Sequence, residues 1–74
     1  MAQRKVTLKV GDLFRQAWEG CKRPMWFKVL SIDRPLNKLR VECHSFEGYV
    51  HEEEWEDLNL TEAAFNIGEY KMIE

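Results

Sequence analysis

The chain has 74 residues, two cysteines and a formal net charge of −2 at pH 7. This length is too short for two independent hydrophobic cores and predicts a single domain, residues 1–74. Two cysteines are too few for a disulfide framework, and no apolar run approaches the ~20 residues of a membrane span. The polar, basic N-terminus lacks the apolar core of a signal peptide, so we expect a cytoplasmic protein with free thiols and no membrane contact.

The small net charge conceals an uneven distribution along the chain. Residues 1–40 contain ten Lys and Arg against three Asp and Glu, a balance of +7. Residues 41–74 contain one Lys against ten acidic residues, a balance of −9. Such a split can mark a basic binding face, an acidic surface or head-to-tail self-association. Strands from the two halves can also pair and neutralise each other, which is the interpretation we favour.

The first third of the chain contains two predicted strands and a loop. Residues 6–10 alternate apolar and polar side chains, which is typical of a strand with one wet face. Residues 13–18 follow a Gly–Asp turn and are interpreted as a second strand, with a helical turn as the alternative. Gly20 and Pro24 then place residues 19–24 in a loop.

A hairpin is the best-defined element of the sequence. Residues 25–32 form a nearly continuous apolar run rich in aromatic and β-branched side chains, which predicts a central strand covered on both faces. The turn-forming residues at 33–38 and the alternation over residues 39–44 predict its antiparallel partner.

The register of this hairpin has two solutions. If residues 34–37 form the loop, Ile32 lies opposite Leu39 and Leu30 opposite Val41. The core face would then carry Trp26, Leu30, Val41 and Cys43. A slip of one residue brings Met25, Phe27 and Val29 to that face instead, because it moves every side chain to the other side of the sheet. Both faces of residues 25–32 are apolar, so the pattern permits either register.

The last third of the chain is more polar. Residues 49–51 are interpreted as a short strand. Residues 52–58 are predicted to form a short helical turn. Trp55 and Leu58, three positions apart, would lie on its buried side, and the glutamates at its start would interact favourably with the positive N-terminal end of a helix. Thr61 can cap a further turn. Residues 69–73 alternate and predict a closing strand.

Together these elements predict a mainly β fold. We expect a small antiparallel SH3-like barrel, or a strongly curved sheet, of five to six strands with one short helical turn near residues 52–58. Residues 9–14, Lys-Val-Gly-Asp-Leu-Phe, resemble the opening of the second strand in SH3-like barrels. The resemblance covers six residues and implies an architecture, not a family.

Basic and aromatic residues are interleaved around the central hairpin. Cations that contact phosphates, beside rings that stack on bases, are how small β domains hold single-stranded nucleic acid. The candidate residues for binding nucleic acid or a protein partner are Lys22, Arg23, Trp26, Lys28, Arg34, Lys38 and Arg40. The competing interpretation, which we favour, is that the rings belong to the core and the cations solvate two loops.

A run of acidic residues forms a second candidate surface, made of Glu52, Glu53, Glu54, Glu56 and Asp57. Its spacing does not match a calcium-binding loop and suits a solvated helix face or a docking surface for a basic partner. Cys21, Cys43, His44 and His51 are possible zinc ligands. Structural zinc sites usually use closely spaced pairs of ligands, and Cys43 and His44, as neighbours on a predicted strand, point to opposite faces. We therefore expect no metal site, and no cofactor is indicated.

Catalysis is not indicated either, because the sequence has no nucleophile elbow, no glycine-rich phosphate loop and no acid at triad-like spacing from a histidine. We interpret the chain as a non-enzymatic interaction or regulatory module for a protein partner, with Trp26 or Trp55 as the contact anchor if either borders a groove. One alternative is single-stranded RNA or DNA binding through the basic hairpin, residues 22–40. Another is a homo-oligomeric structural module.

Overall fold

The computed structural model describes residues 6–73, so residues 1–5 and 74 of the predicted domain lie outside the described part. The fold is mainly β, with one antiparallel sheet and one short helix. The elements are β1 (Leu13–Gln16), β2 (Trp26–Asp33), β3 (Lys38–His44), β4 (Val50–Trp55), α1 (Leu58–Asn66) and β5 (Tyr70–Met72). The strands lie in the order β4-β3-β2-β1-β5, and the sheet is not closed. Across residues 6–73, no helix has the length and apolar character needed to cross a membrane.

The hydrophobic core lies on one face of this sheet and is covered by α1. Successive residues of a strand point to opposite faces, so the inward positions of β2 and β3 supply apolar side chains to a common layer. Phe14 is fully buried within it, and its ring centroid lies 5.1 Å from that of Phe27 and 5.3 Å from that of Phe65 in α1. The buried apolar residues are Leu8, Phe14, Phe27, Val29, Leu39, Val41, Cys43, Leu58 and Ala64.

A β-bulge at Leu30 decides the register of the hairpin. Ile32 lies opposite Leu39, as predicted, but Val29 rather than Leu30 lies opposite Val41. The predicted Leu30–Val41 pairing is therefore wrong. A bulge adds one unpaired residue to one strand. The alternation of side chains between the two faces is therefore shifted by one residue on one side of the bulge relative to the other.

The bulge lets β2 combine the two registers that the sequence permits. Beyond Leu30, toward the loop, the first register holds. Before it the slipped register holds, so that Phe27 and Val29 face the core. Trp26 consequently lies on the opposite face of the sheet, which we call the outer face.

The acidic run forms an edge strand, so the predicted helical turn at residues 52–58 is wrong. β4 (Val50–Trp55) pairs with β3 along its whole length, and α1 begins only at Leu58. An edge strand that carries charged side chains is as polar as a solvated helix face, so composition alone does not separate the two. The predicted strand at 49–51 is the first part of β4.

Residues 6–10 do not form the predicted strand. The Leu8 amide donates to Oε2 of Glu62 at 2.6 Å, and the Leu8 carbonyl accepts from the Arg34 guanidinium at 3.2 Å. Side chains, rather than a neighbouring strand, therefore satisfy these backbone groups. The strand prediction is confirmed over 13–16, against the helical alternative, and the closing strand is confirmed at 70–72.

Candidate functional site

An open groove of about 580 Å³ lies where the end of β4, the turn into α1 and the start of β5 meet. We call it the acidic groove, and its lining residues are Glu54, Trp55, Glu56, Asp57, Thr61 and Tyr70. Its volume falls in the range of about 300–1,000 Å³ that is typical of ligand sites in proteins.

Two aromatic rings form the apolar part of the acidic groove. The rings of Trp55 and Tyr70 are nearly parallel, with centroids 6.5 Å apart and 14° between their planes. Both contact the buried ring of Phe14, at centroid distances of 6.2 and 5.1 Å. Burial, and then the charges of Asp57 and Glu69, raise the pKa of the Tyr70 phenol. The core thus holds both rings in place before a ligand arrives, which lowers the entropy lost on binding.

Three acidic residues, Glu54, Glu56 and Asp57, line the groove and make its surroundings negative. The Lys38 ammonium lies 3.4 Å from Glu54 and 3.5 Å from Glu56, and its hydrogen bond to Glu54, with the charges of both, raises the pKa of Lys38. Asp57 accepts a hydrogen bond from the Thr61 hydroxyl at 3.3 Å. Three negative charges against one positive charge leave the groove suited to a cationic group.

Most of the predicted cations are paired with acidic residues from the second half of the chain. The ion pairs join Arg23 to Glu47, Arg34 to Glu62, Lys38 to Glu54 and Glu56, and Arg40 to Glu52. Lys22 is exposed in the loop before β2 and forms no ion pair within residues 6–73. The uneven charge along the sequence is thus partly neutralised in space, mainly across β3 and β4.

The remaining candidates, Trp26 and Lys28, lie on the outer face. The Trp26 ring is stacked on the His44 ring at a centroid distance of 3.6 Å. Arg15 on β1 lies directly opposite Trp26, and Lys71 on β5 lies opposite Arg15. We call Lys71, Arg15, Trp26 and His44 the outer-face row. Arg15 and Lys71 were not among the predicted residues, because only the strand order brings them beside Trp26.

The acidic run does not form one surface. Glu52 and Glu54 lie on the outer face, opposite Glu42 and Arg40, whereas Glu53 points to the inner face. Of the five predicted acidic residues, Glu54, Glu56 and Asp57 meet in the acidic groove.

A third arrangement lies on the inner face of β3 and β4. Cys43 is directly opposite His51, and Glu53 follows two residues later on the same face of β4. A ligand atom from each of these three residues lies within 4.8 Å of the other two. We call the three residues the Cys43 cluster.

Hydrogen bonds order the Cys43 cluster. Nε2 of His51 is 2.7 Å from Oε2 of Glu53, and the Trp55 indole donates to Oε1 of Glu53 at 2.9 Å. The Trp55 hydrogen bond, and then that with His51, lower the pKa of Glu53. Burial, with a smaller effect of the Glu53 charge, raises the pKa of Cys43 to about 11.

Cys43 and His51 are possible ligands from the sequence, but Glu53 is not joined to them, because the predicted helix at residues 52–58 separates it from Cys43. The available signal was the spacing of His51, Glu53 and Trp55, which a strand places on one face.

No family model matches this chain, and no curated protein or solved structure matches it either.

Proposed function

We propose that the chain is a non-enzymatic protein-interaction module whose acidic groove binds a lysine or arginine side chain in an extended basic segment of a partner protein. The observation that carries the proposal is the stacked ring pair of Trp55 and Tyr70 in a groove that the acidic residues Glu54, Glu56 and Asp57 also line.

Both parts of the groove favour the same ligand. A cation within about 6 Å of an aromatic ring gains about 0.5–2 kcal/mol, with the larger values where water is excluded. Carboxylates next to the ring add charge-assisted hydrogen bonds to an ammonium or guanidinium group. Trp and Tyr are also the residue types that most often dominate the binding energy of protein interfaces.

The finer architecture and the compartment belong to the same proposal. The contact between Trp55 at the end of β4 and Tyr70 at the start of β5 brings the two edge strands of the sheet together, which supports an SH3-like, half-closed barrel. Cys21 and Cys43 are both free, which fits the reducing cytoplasm.

Lys38 provides the sharpest test, because it already neutralises part of the groove. In the variant Lys38→Gln, Glu54 and Glu56 lose their intramolecular cation, and we expect the affinity for a short arginine- and lysine-containing peptide to rise severalfold. Glu56→Gln combined with Asp57→Asn should lower it about tenfold, or about 1.4 kcal/mol. Glu47→Gln, an exposed acid outside the groove, is the matched control and should leave it unchanged.

The binding site can be identified in the same experiment from the indole N–H signals in ¹H–¹⁵N correlation spectra. The three tryptophans report on different places: Trp55 on the acidic groove, Trp26 on the outer-face row and Trp18 on the loop after β1. The proposal requires the basic peptide to shift the indole N–H signal of Trp55 and to leave that of Trp26 unchanged. If the peptide shifts none of the three at low salt, or if Lys38→Gln weakens its binding, the proposal is wrong.

Nucleic-acid binding through the outer-face row is a second candidate. It is supported by Arg15, Lys28 and Lys71 around the Trp26 ring, none of which forms an ion pair with another residue of the described segment. A single-stranded oligonucleotide should then shift the Trp26 signal, and Lys28→Glu should weaken binding and flatten its salt dependence. The pairing of four of the six predicted cations makes this the weaker candidate.

A further inference from the structure

We propose that Cys43, His51 and Glu53 form a binding site for Zn²⁺. This inference does not require the proposed function, although the two sites share Trp55, whose ring lines the acidic groove and whose indole donates to Glu53. It rests on the composition of the Cys43 cluster, on its backbone support and on the hydrogen bond that orients one of its ligands.

The donor atoms suit zinc. The cluster offers one thiol sulfur, one imidazole nitrogen and one carboxylate oxygen, which are the three ligand types that zinc sites use. Thiolate and imidazole together favour Zn²⁺ over the hard cations Mg²⁺ and Ca²⁺, which take oxygen ligands.

The backbone sets the spacing of the ligands. Cys43 and His51 are a directly opposed pair in the antiparallel β3–β4 ladder, and Glu53 is the next inward residue of β4. Zinc–ligand bonds of about 2.0–2.3 Å place tetrahedral donor atoms roughly 3.3–3.8 Å apart. The donor atoms of the cluster lie within 4.8 Å of one another. The side chains of His51 and Glu53, hydrogen-bonded to each other at 2.7 Å, are exposed and can rotate apart to admit the metal.

A neighbouring residue orients the carboxylate. The Trp55 indole holds Oε1 of Glu53 at 2.9 Å, which leaves Oε2 directed at His51. Zinc ligands in proteins are commonly held by such outer hydrogen bonds. Cys43 is only 1% exposed, so the metal would bind with its thiolate side buried and its remaining position open to water at the edge of the sheet.

Binding changes the protonation of the cluster in a defined way. The Cys43 thiol loses its proton to solvent as the Zn–S bond forms, His51 binds as the neutral imidazole and Glu53 as the carboxylate. No oxidation or reduction occurs, and uptake of one zinc ion releases the thiol proton.

Because the chain has two cysteines and two histidines, one of each outside the cluster, it supplies its own matched controls. The full chain is titrated with Co²⁺ under reducing conditions, and the thiolate-to-cobalt charge-transfer absorption is followed, then displaced with Zn²⁺. We expect Cys21→Ser and His44→Gln to keep the absorption, Cys43→Ser to abolish it, and His51→Gln or Glu53→Gln to weaken metal affinity about tenfold or more.

His51→Gln keeps the proposal testable if Cys43→Ser disturbs the core, because His51 is exposed and its loss leaves no cavity. The site does not exist if the wild-type chain shows no thiolate–cobalt absorption, or if His51→Gln and His44→Gln bind the metal equally well. Because the probe is the metal alone, this result does not depend on whether the acidic groove binds a peptide.

Discussion

Arg34 and Arg40 both come from the basic half of the chain, and both face a glutamate from the acidic half, yet the two ion pairs differ in burial. Arg34, whose side chain is 45% exposed, pairs at 2.9 Å with Glu62, whose side chain is 7% exposed. Arg40 pairs with Glu52 at 4.0 Å, and their side chains are 46% and 58% exposed. The two arginines are equally exposed, so the pairs differ in the glutamate: Glu62 is shielded from water and Glu52 is not.

The buried pair joins three distant parts of the chain. Glu62 in α1 accepts hydrogen bonds from both terminal nitrogens of Arg34, in the turn after β2, and from the Leu8 amide. The Arg34 guanidinium also donates to the Leu8 carbonyl. These bonds fix the segment before β1, which carries the buried Leu8 side chain into the core although it forms no strand.

The exposed pair contributes differently. Arg40 and Glu52 lie on the outer face of β3 and β4, where water competes for both charges. Charged side chains of this kind disfavour the pairing of an exposed edge strand with another chain. The charge split of the sequence therefore produces two kinds of ion pair, which differ in the burial of the glutamate and not in the type of charge.

The largest effect that we expect from this comparison follows Glu62→Ala. The substitution leaves the buried Leu8 amide without its acceptor, and an unsatisfied buried donor costs about 1–3 kcal/mol. We expect urea unfolding to show a loss of about 2 kcal/mol and the Leu8 amide proton to exchange faster with solvent. Glu52→Ala removes a glutamate from the exposed pair and serves as the control. Equal losses in the two variants would show that burial does not separate the pairs.

A smaller effect on stability, dependent on pH, is expected from Tyr70, because burial and nearby charges both act on its phenol group. Burial, with the charges of Asp57, Glu69 and Cys43, raises the pKa of the Tyr70 phenol in the folded protein. Between the unfolded value of about 10 and the higher folded value, the folded chain keeps a proton that the unfolded chain has lost. Stability should therefore fall as pH rises through this window.

The variant Tyr70→Phe isolates that contribution. It should lose less stability than the wild type between neutral and alkaline pH when urea unfolding is measured at each. Tyr49→Phe removes the other tyrosine, which is 72% exposed, and should follow the wild-type pH dependence. If the two variants behave alike, the phenol of Tyr70 is not shielded in solution.

The sequence predicted those parts of the fold that depend on local signals. Turn residues and alternation identified the β2–β3 hairpin and the closing strand. The bulge at Leu30 could not be predicted, because both faces of β2 are apolar and either register buries hydrophobic side chains. The sequence of β4 predicts a helix instead of a strand, because its glutamates are exposed at a sheet edge and no alternation of apolar and polar residues indicates a strand there.

The sites required knowledge of strand neighbours. Trp55 was recognised as an anchor candidate, but the partner ring of Tyr70 comes from β5, and no local pattern connects the two. The same holds for Cys43 and His51, which become opposite residues only once β4 pairs with β3. Charge counting, in contrast, did anticipate that strands of the two halves would pair.

The smallest expected effect concerns the exposed pair itself. In a double-mutant cycle of Arg40→Gln and Glu52→Gln, we expect the coupling free energy from urea unfolding to lie at or below the resolution of the measurement, because each charge is solvated when its partner is removed. Raising the salt concentration should leave the coupling unchanged, since little attraction remains to be screened. A clear coupling that weakens with salt would mean that the β3–β4 charges help to hold the edge strand in place. The exposed pair would then have a structural role like that of Arg34 and Glu62, although its side chains are open to water.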